Sequence, residues 1–297
     1  MKFHQLQALV AVMRCGGIRA AARDLNLSQA AVTKSLRQLE DECGVALLLR
    51  RSRGVDLTPQ GQRLHERARL ITRQIELAQD DLRHSLGDEQ GLVRVGLTPY
   101  LTLSALGQAF DWFRRRYPRV QVQLIEGLMT RVLPCLRNGT LDLAFVAADA
   151  GELNDHEFQF THVCNTRQLI VAREGHPALL DPSARALAGY EWLYTAPFLA
   201  GEGSRQAAMF TAAGVPVPER VVVCETLAAL TLLRSSDLLS IFPEGLLGRP
   251  ESRGILAVPT TQLHPCEIEV AMLTPPDVPL TPAAAYFAHC LTDAVRQ

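Results

Sequence analysis

The residues with the most legible chemistry lie close to the N-terminus. Gln29, Ala30, Thr33, Lys34 and Arg37 share one side of a helical repeat, opposite the apolar row Val32, Leu36 and Leu39 at i, i+4 and i+7. Amide, hydroxyl and cationic groups on one exposed helix face are the types that reach base edges and phosphates in a major groove. Ser28 stands where a hydroxyl would cap that helix and lies on the same face. Downstream, Arg50, Arg51 and Arg53 crowd a turn between the apolar pieces Val45–Leu49 and Val55–Leu57. This is the pattern of a basic hairpin able to lie along phosphates or enter a minor groove.

Chemistry of other kinds finds little support. G-x-S-x-G, a G-x-G-x-x-G after a strand, G-x-x-x-x-G-K and H-E-x-x-H are all absent, so an enzyme is not expected. His156, His162 and His176 are spaced too irregularly for a metal site. The seven cysteines (15, 43, 135, 164, 224, 266 and 290) contain no C-x-x-C, which argues against zinc and a thioredoxin-like motif. Their odd number points to free, buried thiols. The alternative is a thiol redox sensor, for which Cys164 and Cys224 are the pair to consider. No cofactor or metal is expected.

The elements that must hold the polar face follow from spacing and punctuation. Phe3, Leu6, Leu9, Val10 and Met13 predict a helix over 2–14, ended by Gly16-Gly17. Arg19 to Leu25 is a short alanine-rich helix, Asn26-Leu27-Ser28 a turn, and Gln29 to about Glu42 the helix bearing the polar face. Two helices on a tight turn followed by a basic hairpin describe a winged helix-turn-helix over residues 1–58. The plainer alternative is a small helical bundle with a solvated face.

Thr58-Pro59 then opens a long helix. Leu64, Ala68, Ile71, Ile75, Ala78 and Leu82 alternate by four and three, a heptad seam. Arg63, Glu66, Arg67, Arg73, Glu76, Asp80 and Asp81 fill the outward faces. The seam predicts a homodimer that reads two half-sites, and Gly87 to Gly91 reads as a hinge. Beyond it, Leu92–Leu97, Val120–Ile125 and Leu141–Ala147 read as strands between helices at 103–117 and 130–138. A second set has strands at 192–194, 220–224 and 238–242 and helices at 204–213 and 227–234. Strand 267–273 and helix 282–296 return to the first lobe. Alternation of this kind predicts parallel sheets.

The run from Gly17 to Glu40, followed by Gly44-Val45 and by Arg53-Gly54-Val55, Leu57-Thr58-Pro59 and Gly61, resembles the N-terminal signature of LysR-type transcriptional regulators. It departs from the family at Ala30, where proline is common, and at Leu48 or Leu49, where phenylalanine is usual. Gly139-Thr140-Leu141-Asp142, His176-Pro177 and Ser240 to Pro243 resemble motifs of the same family's effector domain. The resemblance implies an α/β protein with an α-rich winged helix-turn-helix, a dimerising linker helix at 59–91 and a two-lobed, periplasmic-binding-protein-like effector domain at 92–297. Lobe one would hold about 92–164 and 266–297, and lobe two 165–265. It also implies double-stranded DNA, a second copy or a dimer of dimers, RNA polymerase and a small organic effector, anionic or aromatic, as partners.

Effectors in open α/β sheets bind where strands end and helices begin. Thr98, Tyr100, Met129, Thr130, Phe198, Ser204 and Thr226 are therefore the candidate effector residues. A hydroxyl residue often follows each of the first two strands in the family. Thr98 fits the first position, but the second falls on Met129, which implies a less polar pocket. A solute-binding protein would share this body but not the basic front end.

Charge and composition agree with that division. Residues 1–73 carry 13 basic against 6 acidic residues, leaving 17 against 25 for the remainder, so a basic front end precedes an acidic body. Hydrophobic residues make up 47% of the 297 and charged residues 21%, an ordinary globular balance for two or three domains. No apolar run reaches the ~18–20 residues of a membrane span. The N-terminus lacks the apolar stretch of a secretory signal, so a cytoplasmic location is expected.

Overall fold

In the computed structural model, residues 1–51, 54–85, 90–149, 157–195 and 204–296 are described. Two compact units emerge, Met1–Gly91 with Pro134–Leu141, and Leu92–Leu133 with Asp142–Gln297.

The first unit opens with α1 (Phe3–Arg14), α2 (Ile18–Asp24) and α3 (Gln29–Cys43). Leu6, Leu9 and Val12 of α1 pack with Val32, Leu36 and Leu39 of α3 around Ala21 and Ala22 of α2, whose small side chains let the helices approach. Phe3, expected on the apolar face, is exposed instead. Buried Gln5 is satisfied by the Glu42 carboxylate and by the backbone N–H of Lys2. The Ser28 hydroxyl accepts from the Ala31 N–H, and α3 ends on Gly44 at φ +66°, a left-handed turn that glycine adopts without a Cβ penalty. Strands β1 (Leu48–Arg51) and β2 (Gly54–Leu57) form the antiparallel hairpin, pairing Leu48 with Leu57 and Arg51 with Gly54. One oxygen of Glu40 accepts from the N–H groups of both Leu47 and Leu48, tying the hairpin to α3.

Helix α4 (Pro59–Ser85) follows. Its Thr58 hydroxyl cap accepts from Gly61 N–H and donates to the Ala46 carbonyl. Of the heptad seam, Leu64 and fully buried Ala68 are already used by the winged-helix core. Ile71 (41% exposed), Ala78 and Leu82 (67%) remain open, with Ile75 half-buried. Arg73 and Asp80, predicted on the outward face, are only 7% and 6% exposed; each is ion-paired along the helix, Arg73 to Glu76 and Asp80 to Arg83.

Beyond α4 come β3 (Leu92–Leu97), α5 (Pro99–Ser104), α6 (Leu106–Arg116), β4 (Gln121–Glu126), α7 (Met129–Arg137, divided between the units at Pro134), β5 (Leu143–Asp149), β6 (Gln159–Thr166) and β7 (Gln168–Arg173). The chain continues with α8 (Ala184–Ala188), β8 (Glu191–Tyr194), α9 (Arg205–Ala212), β9 (Val221–Val223), α10 (Thr226–Ser235), β10 (Leu238–Pro243), β11 (Ile255–Ala257), β12 (Ile268–Thr274) and α11 (Pro282–Arg296). One sheet runs β4-β3-β5-β12-β6 and the other β11-β7-β10-β8-β9. Only β4-β3-β5 and β10-β8-β9 are parallel, as alternation predicts. The predicted all-parallel sheets are otherwise corrected: β12 runs antiparallel to β5 and β6, and β7 runs antiparallel to β10 and β11. The chain passes between the sheets from β6 to β7 and from β11 to β12, where no helix turns it back. The helix predicted at 103–117 is also two helices. Pro99 starts the first at the N1 position, and the ladder is interrupted at Ala105 (φ −125°, ψ −26°). Phe113, Tyr117 and Phe287 form an aromatic cluster where α6 meets α11.

Candidate functional site

On α3, Ser28, Gln29, Ala30, Lys34 and Arg37 are exposed and Thr33 is half-exposed, while the opposite face is buried. Alanine at position 30 leaves the helix start intact, because the Ser28 cap supplies the acceptor for the first turn. Arg50 and Arg51 fall on β1, next to the hairpin turn. Arg53 and Ser52 lie outside the described residues, as do positions 87–89 of the predicted hinge and His156. The α3 face therefore collects an amide, a hydroxyl and two cations on one surface, held by the α1–α2 core behind it.

The second unit contains a cavity of about 170 Å³ between its two sheets. It opens at the carboxyl ends of strands: Thr98 follows β3, Ala147 and Ala148 lie late in β5, Thr195 follows β8 and Pro243 closes β10. Three helices begin at it, α7 with Met129, α9 with Gln206 as its second residue, and α10 with Thr226. Thr98, Tyr100, Met129 and Thr226, all predicted, line it. Thr130 does not, since it is exposed one residue further around α7. Ser204 is also outside the lining, and its hydroxyl instead caps α9 by accepting from Ala207 N–H. Phe198 lies outside the described residues.

Sequence reasoning missed Gln168, Tyr194, Gln206 and Ser240, which also face the cavity. Ser240 is spoken for, donating to the Leu193 carbonyl at 2.7 Å. By contrast, the Thr98 hydroxyl and the Gln206 Oε1 are buried without a partner among the described residues. The only sequence signal for Gln206 is its place in the first turn after a Ser cap. Burial pushes the Tyr100 phenol up, with hydrogen bonding to Thr166 and the Arg249 charge partly opposing it. Burial likewise raises Tyr194. Both rings thus present neutral hydroxyls. No described lining residue carries a charge.

All seven cysteines are free thiols. Burial raises the Cys164 and Cys224 thiols, the reverse of what a thiolate-based sensor uses; Cys164 lies on β6 and Cys224 follows β9, a strand of the other sheet. Among the described residues no three side chains are grouped to hold a metal, and no helix is long and apolar enough to cross a membrane.

A winged helix-turn-helix, a long helix and a two-lobed α/β domain with a cleft at its strand ends define a transcriptional regulator with an effector-binding domain. The chain belongs to the LysR family: the model for the LysR substrate binding domain matches residues 86–296, and that for the bacterial regulatory helix-turn-helix protein, lysR family, matches residues 3–62. It is 30% identical over 293 residues to the HTH-type transcriptional regulator PcaQ of Agrobacterium fabrum, covering 95% of this chain and 92% of that protein. Among solved structures it resembles full-length CbnR complexed with its target DNA (TM-score 0.65, 21% identity, 99% of this chain and 100% of that one). It also resembles full-length LysG of Corynebacterium glutamicum with bound effector Arg (TM-score 0.65, 18% identity, 100% and 98%). These relatives are regulators, in line with the expectation that the α/β body is not an enzyme.

Proposed function

We propose that this LysR-family regulator binds double-stranded DNA as a homodimer or dimer of dimers, and that a small organic molecule in the cleft of its effector domain alters that binding. The observation that carries the reading is the exposed face of α3. Gln29, Thr33, Lys34 and Arg37 stand together beyond a capped helix start, backed by a buried core. In this reading Thr33, Lys34 and Arg37 meet the major groove and its phosphates, with Ser28, Gln29 and Ala30 at the entering end of the helix. Arg50, Arg51 and Arg53 serve the wing. Residues 1–58 are the DNA-binding domain, 59–91 the linker and 92–297 the effector domain. Leu64, Ala68, Ile71, Ile75, Ala78 and Leu82 mark the dimerising face, of which the open part runs from Ile71 onward. A ligand acts only through its different affinity for the conformations of the protein, so the cleft is coupled to packing of the dimer or tetramer. The output at a promoter is read by RNA polymerase, in the cytoplasm.

CbnR on its target DNA and LysG with bound Arg support both halves of this reading by kinship. The test is binding of the intact protein to the intergenic region upstream of its own gene across a salt series, with Lys34→Ala and Arg53→Ala alongside. Binding that falls steeply with salt and is weakened in both variants is the expected result. If no DNA binds at low salt, the reading is wrong.

A further inference from the structure

The first unit carries a concave site of its own, behind α1 and alongside α4. Arg14 reaches it from α1, His65 and Arg69 from α4, and Arg137 from the end of α7, in the segment Pro134–Leu141 that belongs to this unit. We propose that this groove binds a phosphate ester carried on an apolar, metabolite-sized body, with the Arg14, Arg69 and Arg137 guanidiniums on the phosphate. The site is separate from the operator face and from the effector cleft and depends on neither reading.

Size and floor describe the body of the ligand. The groove encloses about 810 Å³, within the ~300–1,000 Å³ of sites for small organic ligands and too large for an inorganic ion alone. Val10, Met13, Leu57 and Leu70 line it with apolar surface.

Charge describes the head group. Four arginines, at positions 14, 67, 69 and 137, line the groove against one described carboxylate, Glu66. Arg14 is ion-paired to Asp24, which is not part of the lining, and Glu66 accepts from Gln62 Nε2 at 2.9 Å. Even with both carboxylates counted, two positive charges are left over. Arg69 bonds only neutral oxygens among the described residues, Asn138 Oδ1 at 3.0 Å and Thr140 Oγ1, and both bonds leave from Nη2. Its guanidinium is thereby fixed in place with its charge uncancelled and other N–H donors to spare. Half-buried His65 registers the same field: burial and then the Arg69 charge hold it below its ordinary value, so it is neutral at pH 7. Rigid guanidinium forks from three separate elements suit the several oxygens of a phosphate dianion.

Two other occupants fit less well. Gln62, His65, Glu66 and Arg69 recur at i, i+3, i+4 and i+7, about 150° around α4 from the seam that begins with Leu64 and Ala68. Pairing of α4 with a second copy through that seam does not use this face. DNA is read by α3 and the hairpin arginines in the operator reading, and none of the described lining comes from either.

The test is calorimetric titration of the full-length protein with AMP, adenosine, inorganic phosphate and citrate. AMP is expected to bind one site per chain, with each of the other three weaker by about tenfold or more. Arg14→Gln and Arg137→Gln, both at exposed positions, should each weaken AMP by about tenfold or more, and circular dichroism melts check that they fold. Hydrogen exchange with AMP bound should slow at residues 10–14, 65–70 and 135–138. No AMP binding at millimolar concentration, equal affinity for adenosine or phosphate alone, or tighter binding of citrate would each overturn the proposal. Protection at the strand ends around Thr98 instead would place AMP in the effector cleft and also overturn it. Operator binding across a salt series tests the remaining occupant: a slope reduced by about one in each arginine variant would make the groove a track for DNA phosphates and remove the small ligand.

Discussion

Gly61 sits in the first turn of α4, where helix propensity alone would favour alanine by ~1 kcal/mol. The structure predicts the opposite outcome for Gly61→Ala. A Cβ at this position would stand 2.0 Å from the Leu47 carbonyl oxygen and 2.9 Å from its carbon, both backbone atoms. That carbonyl cannot withdraw freely. It accepts from Thr58 N–H at 2.9 Å, while the Leu47 N–H is held by Glu40 at 2.8 Å. Thr58 is itself anchored by its hydroxyl to the Ala46 carbonyl at 2.8 Å. Overpacking costs ~1–3 kcal/mol, the upper end applying where backbone must move, and a lost hydrogen bond adds ~1 kcal/mol. Against the propensity gain, the net loss is about 2–3 kcal/mol, which raises the local opening equilibrium roughly 30- to 150-fold. Hydrogen exchange at the amides of Leu47, Leu48 and Thr58 reads this directly, and DNA affinity should fall as the hairpin loosens from α3. Exchange at those amides that is unchanged or slower in the variant would show that the close approach between α4 and the hairpin does not exist.

Three further outcomes follow from the same structure. His65 is held below its ordinary value of 6.5, first by burial and then by the Arg69 charge, with Glu66 partly opposing. Its contribution to stability is therefore complete above pH 6.5 and is lost as pH falls below that value, so thermal unfolding of the first unit should come earlier at pH 5.5 than at 7.5, and less so in His65→Gln. Burial raises the thiols of Cys164, Cys224 and Cys290, whereas Cys43 and Cys266 are exposed. Mass-spectrometric mapping of maleimide labelling should find Cys43 and Cys266 modified first, and peroxide should leave DNA affinity unchanged; rapid oxidation at Cys164 or Cys224 would revive a redox role. If α4 pairs through the proposed seam, Ile71→Glu with Leu82→Glu should leave a folded monomer by sedimentation, whereas Ala68→Glu, at a fully buried site, should unfold the first unit.

The N-terminal unit was largely legible because its determinants are local. The row Val32, Leu36, Leu39, the Ser28 cap and Gly44 act within a few residues of one another, so spacing alone placed α3 and its polar face. The same holds for strands β3 and β10, whose short, mainly apolar segments are bounded by turn residues and lie inside their sheets. Strand β6 gave no such signal: it is an edge strand with mostly exposed residues, so no alternation marks it. The effector cleft was legible only as a set of strand ends. Thr98 and Met129 could be named from it, but one residue along a helix turns a side chain by about 100°, which separates lining Met129 from exposed Thr130. Gln206 and Tyr194 face Thr98 only because two sheets remote in sequence close on each other. Likewise, the heptad seam of α4 is a property of the sequence, but that Leu64 and Ala68 are consumed by the winged-helix core while Ile71 and Leu82 stay open is decided by packing. Periodicity and caps are read along the chain; a cavity and an exposed helix face are decided by which surfaces the fold covers.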